Sequence, residues 1–326
     1  MRVSYILVVA CLLVGGLFPA SAAGLLVPPL AVGLVVLGIA HGACDHLLLP
    51  AVPAALTPAW GGWWSRALLL GYVALAGLVM LAWWVYPATT LLVFFALSAW
   101  HWGSADAAEL PTGTGSMRRW WLLHSLTRGG LLFAIPALAR PAETLALCND
   151  VLTLTHGAVI PAWLFDQVAT ALGMGTASGL VVLWLGYAML GWRQALFTDL
   201  GETALLAMLL VVLPPALASG VYFVCWHSLR HVQRLLLLLP NRPRSGRSHS
   251  PLLYFWRNAL PLLAVSVAGL LAVGWWLGLA HHGGAVALLL VAASIVTLPH
   301  TVLVTGVLDR GRWQAPSSAS STVPAV

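Results

Sequence analysis

The chain has 326 residues, 60% of them hydrophobic and only 7% Asp, Glu, Lys or Arg, against about 25% charged in an ordinary soluble domain. Mean hydropathy is +0.93, and nine acids with fifteen bases cannot cover a soluble core of this size. A soluble enzyme, a disordered tail, a collagen-like chain and a disulfide scaffold are excluded together. Long apolar runs predict helices rather than a barrel, so the expected fold class is all-α: a polytopic integral membrane helical bundle.

The formal net charge is +6, and every base is Arg. In such a chain the excess reads as a topology signal, not as a nucleic-acid surface. Cys11, Cys44, Cys148 and Cys225 form no CxxC pair, which argues against a disulfide framework or a thiolate metal site.

The first apolar run, 3–23, resembles a signal peptide, with Arg2 before it and Ala20-Ser21-Ala22 at its end. The apolar pattern resumes at once, so it reads as an uncleaved anchor. Further spans are expected at 25–46, 67–86, 88–103, 118–138, 168–190, 203–232, 254–280 and 285–308. A weaker one at 143–165 carries Glu143, Asn149, Asp150 and His156. About ten crossings place Arg2, Arg66, Arg118, Arg119, Arg234, Arg242, Arg244, Arg247, Arg257, Arg310 and Arg312 on one side. By the positive-inside rule that side is cytoplasmic. The expectation is a multi-pass protein of the cell inner (plasma) membrane with both termini inside and Arg140 and Arg193 outside. Residues 1–313 form one transmembrane domain, 235–253 an Arg- and Pro-rich cytoplasmic loop, and 314–326 a disordered tail.

Ionisable groups inside spans are costly, so the few present are functional candidates. His41 and Asp45 end the second span, His101 and Asp106 the fourth, and His227, Arg230 and His231 the span at 203–232; His300 lies in the last. On the Arg-derived topology His41, His101, His227 and His231 all approach the cytoplasmic membrane face. His227 and His231 are i and i+4, which sets them one turn apart on one helical face and lets two imidazoles grip one ion. His41 and Asp45 share that spacing; His46 points away from His41. A neutral imidazole adds no charge at membrane depth, and its second nitrogen is commonly held by a carboxylate or carbonyl. Asp45, Asp106 and Glu202 are candidates for that hold. His124, His156, His249, His281 and His282 read as interfacial hydrogen-bonders, Arg230 as paired or reaching the interface, and the 17 Trp as interfacial belts. Spacing alone admits Fe, Zn or Cu.

Four motifs resemble the Brp/Blh family of bacterial and archaeal β-carotene 15,15′-dioxygenases. They are HGAxDH from His41, AWHWGxAD around His101, PPAL followed by YFxCWHSLRH through His231, and LPH at His300. The similarity runs from about residue 30 to 308, with Glu202 and Pro214-Pro215 in the expected order. Two departures stand out: Ala40 where Pro is expected before the first His, and Thr301 where Met is expected after the last. The resemblance implies Fe(II) as cofactor, held by His41, His101, His227 and His231; His300 is expected behind them, and loss of iron on its removal would make it a ligand. It implies β-carotene and O₂ as substrates, drawn from membrane lipid, and two molecules of retinal as product. Other readings of the histidines are a membrane di-iron hydroxylase or desaturase, a b-type haem protein, and a non-catalytic carotenoid-binding or transport protein. The di-iron enzymes need more HxxxH and HxxHH boxes than His227/His231 provide.

Overall fold

The computed structural model describes residues 2–44, 63–107, 117–238, 251–280 and 284–304. Among them every element is helical. In chain order these are α1 (Arg2–Leu17), α2 (Ala22–Ala43), α3 (Trp63–Val85), α4 (Pro87–Ala107), α5 (Met117–Ala139) and α6 (Pro141–Leu154). Then follow α7 (Ala162–Met189), α8 (Arg193–Val212), α9 (215–238), α10 (Pro251–Ala280) and α11 (Ala285–Leu303). Six helical stretches among the described residues are long and apolar enough to cross a membrane: α2, Arg119–Ala139, α7, α8, Leu253–Ala272 in α10, and α11. Val3–Leu17 and Leu70–Val85 are shorter apolar helices. Large apolar side chains such as Met189, Trp275, Leu70 and Phe197 face outward, the surface a bilayer would cover. Asp45, His46, His249, His281, His282, most of the 235–253 loop and the 314–326 tail lie outside the described residues.

Two expected spans are corrected. The weak one at 143–165 is the 14-residue helix α6, about 21 Å long at 1.5 Å per residue, too short for a ~30 Å hydrocarbon core. It stops because His156 takes a left-handed conformation, φ 58°. The Gly157 N–H then donates back to the Leu152 carbonyl at 2.7 Å, closing the helix in the manner of a Schellman motif. The long span at 203–232 is two helices. Leu213 and Pro214 are extended, ψ 149° and 147°, and Pro215 opens α9, where its missing N–H is tolerated.

The chain reverses at that break. Near its start α1 meets both partners: the Tyr5 hydroxyl donates to Glu202 of α8 and Arg230 of α9 donates to Ser4. Near its end, a Cβ added at Gly15 would strike Leu213, beside Val212. So α8 runs alongside α1 from Glu202 to Leu213, and α9 returns to the level where α8 began. One expected span is thus shortened and another is split into two antiparallel helices.

Among the described glycines, the closest approach of backbone to backbone lies between α4 and α5. A Cβ on Gly103 would stand 1.9 Å from the Ser125 carbonyl oxygen, and one on Gly129 2.0 Å from that of Ala99. Only reciprocal glycines let two backbones approach this closely, as small residues do at membrane helix interfaces. That contact sets the depth of His101 on α4. Elsewhere α11 is tied to α3 by Trp83 donating to Ser294 at 2.7 Å and Tyr72 donating to the Val296 carbonyl at 3.0 Å. On the other flank Phe255, Ala259 and Leu263 of α10 pack on Ala40, Ala43, Val232 and Leu235.

Gly129→Ala is expected to destabilise the bundle by about 1–3 kcal/mol through overpacking. Gly175→Ala, with open space around it, should leave stability unchanged. Thermal unfolding of both variants in detergent checks this; equal midpoints would refute the close approach.

Candidate metal centre

Two helices change pitch as they reach the polar cluster. α2 becomes a π-helix over Leu34–Ile39, just before His41, and α9 does so over Tyr222–Ser228, which contains His227. Such turns are rare and concentrate at functional sites. The two segments pack together: a Cβ on Gly38 would meet Phe223, and one on Gly33 would meet Val224.

Five imidazoles from α2, α4, α9 and α11 meet there. His41, His101, His227, His231 and His300 are between 1% and 6% exposed. The His41 ring lies 5.7 Å from His227, 5.0 Å from His231 and 4.9 Å from His300. His101 lies 5.1 Å from His227 and 5.0 Å from His300. His227 and His231 are 6.1 Å apart with planes inclined by 24°, the separation of one helical turn. His231 and His300 are 5.5 Å apart. An ion held about 2.1 Å from a ring nitrogen stands about 3.2 Å from that ring's centroid. Two rings on one ion are then about 4.5 Å apart at a right angle and about 6.4 Å apart when opposite. Every separation above falls inside that interval. The rings are not drawn into a closed shell: among the described residues no group of three or more His, Cys, Asp or Glu is set to hold a metal.

Hydrogen bonding bears on the fit. His41 Nδ1 lies 3.0 Å from the Leu37 carbonyl oxygen, which only accepts, so Nδ1 carries the proton and Nε2 keeps its lone pair. Neither nitrogen of His227 nor Nε2 of His231 has a hydrogen-bond partner. A buried polar atom without a partner is expensive, and a metal ion accepts such lone pairs. The donor set therefore fits a divalent ion that takes imidazole. Beside the rings is a cavity of about 60 Å³ walled by Leu34, Ile39, Phe223, Leu289 and Val296. Phe223 lies nearly parallel to His227, 5.9 Å away at 20°, and Trp102 is 6.0 Å from it.

The expected carboxylate holds go elsewhere. Asp106 accepts from Trp226 Nε1 at 3.1 Å and pairs with Arg128 at 3.7 Å. Glu202 binds Arg128 at 3.2 Å, Arg230 at 2.9 Å and the Tyr5 hydroxyl. Both carboxylates are thus engaged by the arginines; for His41 a backbone carbonyl takes the expected role, and Asp45 lies outside the described residues. Arg128, fully enclosed, also binds Asp199 at 2.6 Å and Thr203 at 3.3 Å, while Trp184 donates to Asp199 at 2.6 Å. His124, expected at the interface, is instead buried, 3.1 Å from the Tyr187 hydroxyl and 3.5 Å from Asp199. Arg230 is paired, and its guanidinium also lies over the Trp226 ring, 3.6 Å from the centroid.

α9 thus carries two i,i+4 pairs: His227 and His231 toward the cluster, Trp226 and Arg230 into the ionic network. Arg128 and Asp199 were not singled out by the sequence reading. The signal was present, because Arg128 sits ten residues from the nearer end of an apolar run, too deep to reach the interface easily.

Residues 32–308 match the family profile described as "Beta-carotene 15,15'-dioxygenase". The chain is 33% identical over 291 residues to the "Probable beta-carotene 15,15'-dioxygenase Blh" of Halobacterium salinarum strain NRC-1, covering 85% of this chain and 83% of that relative. It is 27% identical over 310 residues to the "Probable beta-carotene 15,15'-dioxygenase Brp" of Halobacterium salinarum strain R1, covering 87% and 84%. No solved structure matches.

Arg128→Met leaves Asp106, Asp199 and Glu202 without their shared cation and is expected to cost about 3–5 kcal/mol. Adding Asp199→Asn should recover part of that loss. Folded yield and unfolding midpoint of the single and double variants measure it; an Arg128→Met protein as stable as the parent would rule the network out as a stabilising element.

Proposed function

The chain belongs to the beta-carotene 15,15′-dioxygenase family, and from that premise we propose that it cleaves the central 15,15′ double bond of β-carotene. One O₂ supplies both carbonyl oxygens, so a C40 polyene gives two molecules of all-trans-retinal and the atoms balance. The proposed site is a mononuclear non-haem Fe(II) centre held by His41, His101, His227 and His231. The observation that supports this most is the meeting of buried imidazoles from separate helices against an apolar cavity.

Iron bound there would supply the activation of O₂; the protein's part is placement and exclusion. Four neutral imidazoles add no charge within the membrane and leave coordination positions open. The Leu37 carbonyl holds the His41 tautomer, so its Nε2 lone pair stays available. Leu34, Ile39, Phe223 and Val296 keep water from the rings and offer a polyene only dispersion contact. With no polar group to grip, such a substrate is positioned by the shape of the wall, and Phe223 provides an aromatic face beside His227.

The same reading puts the enzyme in the plasma membrane with both termini cytoplasmic. With α6 not crossing and α8 and α9 crossing separately, Arg193 joins the cytoplasmic arginines, and Arg140 remains outside. The revised topology obeys the positive-inside rule better than the expected one.

Expression in a bacterial host that accumulates β-carotene should bleach the cells and yield retinal. His41→Ala, His101→Ala, His227→Ala and His231→Ala should each leave the colour while the protein still reaches the membrane. Bleaching by the parent with shorter apocarotenals in place of retinal would overturn central cleavage. For the purified protein, exhaustive chelation should abolish turnover, Fe(II) should restore it and Zn(II) should not; activity surviving complete metal removal would end the iron assignment.

A further inference from the structure

His300 was expected to stand behind the metal-binding histidines, but its ring lies among them. It is 4.9 Å from His41, 5.0 Å from His101 and 5.5 Å from His231, three residues carried by three other helices. It crosses those rings at 70°, 87° and 74°, edge to face. Among the proposed four, the pairs His41–His227, His41–His231, His101–His227 and His227–His231 are no closer, at 5.0 to 6.1 Å.

A ring hydrogen-bonded behind a ligand gives a different geometry. Its centroid would lie about 8 Å from the ion, beyond the ligand it supports, and near that one ring only. Close approach to three ligand rings on three helices is incompatible with that position. Gly42, next to His41, borders the ring: a Cβ built there would stand in ordinary contact with His300 Nδ1, 3.8 Å away. Pro299 supplies no N–H, so α11 lacks one rung at the turn that presents His300.

Resting on the metal centre proposed above, we infer that His300 is a fifth ligand. α11 then contributes directly to ion binding, and the centre is a five-imidazole site with one position of an octahedron left for an exogenous ligand. A four-imidazole site leaves two.

The test uses Co(II) with the purified full chain in detergent, and reads coordination rather than turnover. His300→Cys should show a near-ultraviolet thiolate-to-cobalt charge-transfer band, as should His227→Cys. The parent and Thr297→Cys, one turn back along the cavity wall, should show none. Co(II) bound by His300→Cys without that band would overturn the inference and leave the four-histidine reading standing. Failure of the parent to bind Co(II) would remove the proposed centre and the fifth ligand together. In His300→Ala the visible cobalt bands should move; bands identical to the parent's would also overturn the assignment. Where a variant loses cobalt altogether, X-ray absorption fine structure of the cobalt-loaded parent decides, five imidazoles supporting the assignment and four refuting it.

Discussion

An imidazole buried in an apolar bundle must place two nitrogens, one a donor and one an acceptor, where no water competes for them. The site follows from that constraint. His41 meets half of it with the Leu37 carbonyl, while His227 has neither nitrogen engaged by protein. Polar atoms left so inside a hydrocarbon-facing protein cost more than the packing around them returns, unless a ligand takes the lone pairs. The rings are also spaced as rings around one ion are spaced. Satisfaction and spacing are separate physical arguments, and they lead to the same point between the helices.

The ionic network serves a different purpose at the same depth. Arg128 and Arg230 together face Asp106, Asp199 and Glu202, and every oxygen pair has a cation or an indole N–H to receive. Charges buried this way contribute little net stability, but removing one partner is expensive. Their value here is geometric. Trp226 is bound by Asp106 and covered by Arg230, so the π-turn that carries His227 is held on a second face, beside the one that meets the cluster. The reciprocal glycines between α4 and α5 set the depth of His101. α4 and α9 therefore reach the cluster with their heights already set by contacts that do not involve the histidines.

Much of this was legible in the residues. The helical membrane character followed from composition, and His41, His101, His227 and His231 were singled out because ionisable groups in spans are costly. The i,i+4 spacing of His227 and His231 placed both on one face, and their rings lie one turn apart. Other features were misread for identifiable reasons. The stretch 203–232 reads as one span by length and hydropathy; Pro214-Pro215 is the alternative point at which a hairpin would turn it, and backbone geometry shows that it does. The stretch 143–165 looks like a crossing because its apolar count is adequate, but His156 in a left-handed conformation ends the helix after 14 residues. Asp106 and Glu202 were assigned to imidazoles because chain proximity cannot tell an Arg partner on another helix from a His partner nearby.

By itself the sequence determined the apolar helical character: 60% hydrophobic residues and nine acids point to helices of which six among the described residues are long and apolar enough to cross a membrane. It also determined which side chains are too costly to be idle. Which of those side chains meet was decided only by tertiary structure. His300 stands 69 residues beyond His231 in the chain, and no local pattern encodes that α11 brings it to 5.5 Å. The physical reason is that periodicity and hydropathy report the environment of each residue along one helix. Contacts between helices depend on crossing depth, set here by backbone-to-backbone approach at glycine and by buried ion pairs whose partners lie scores of residues apart.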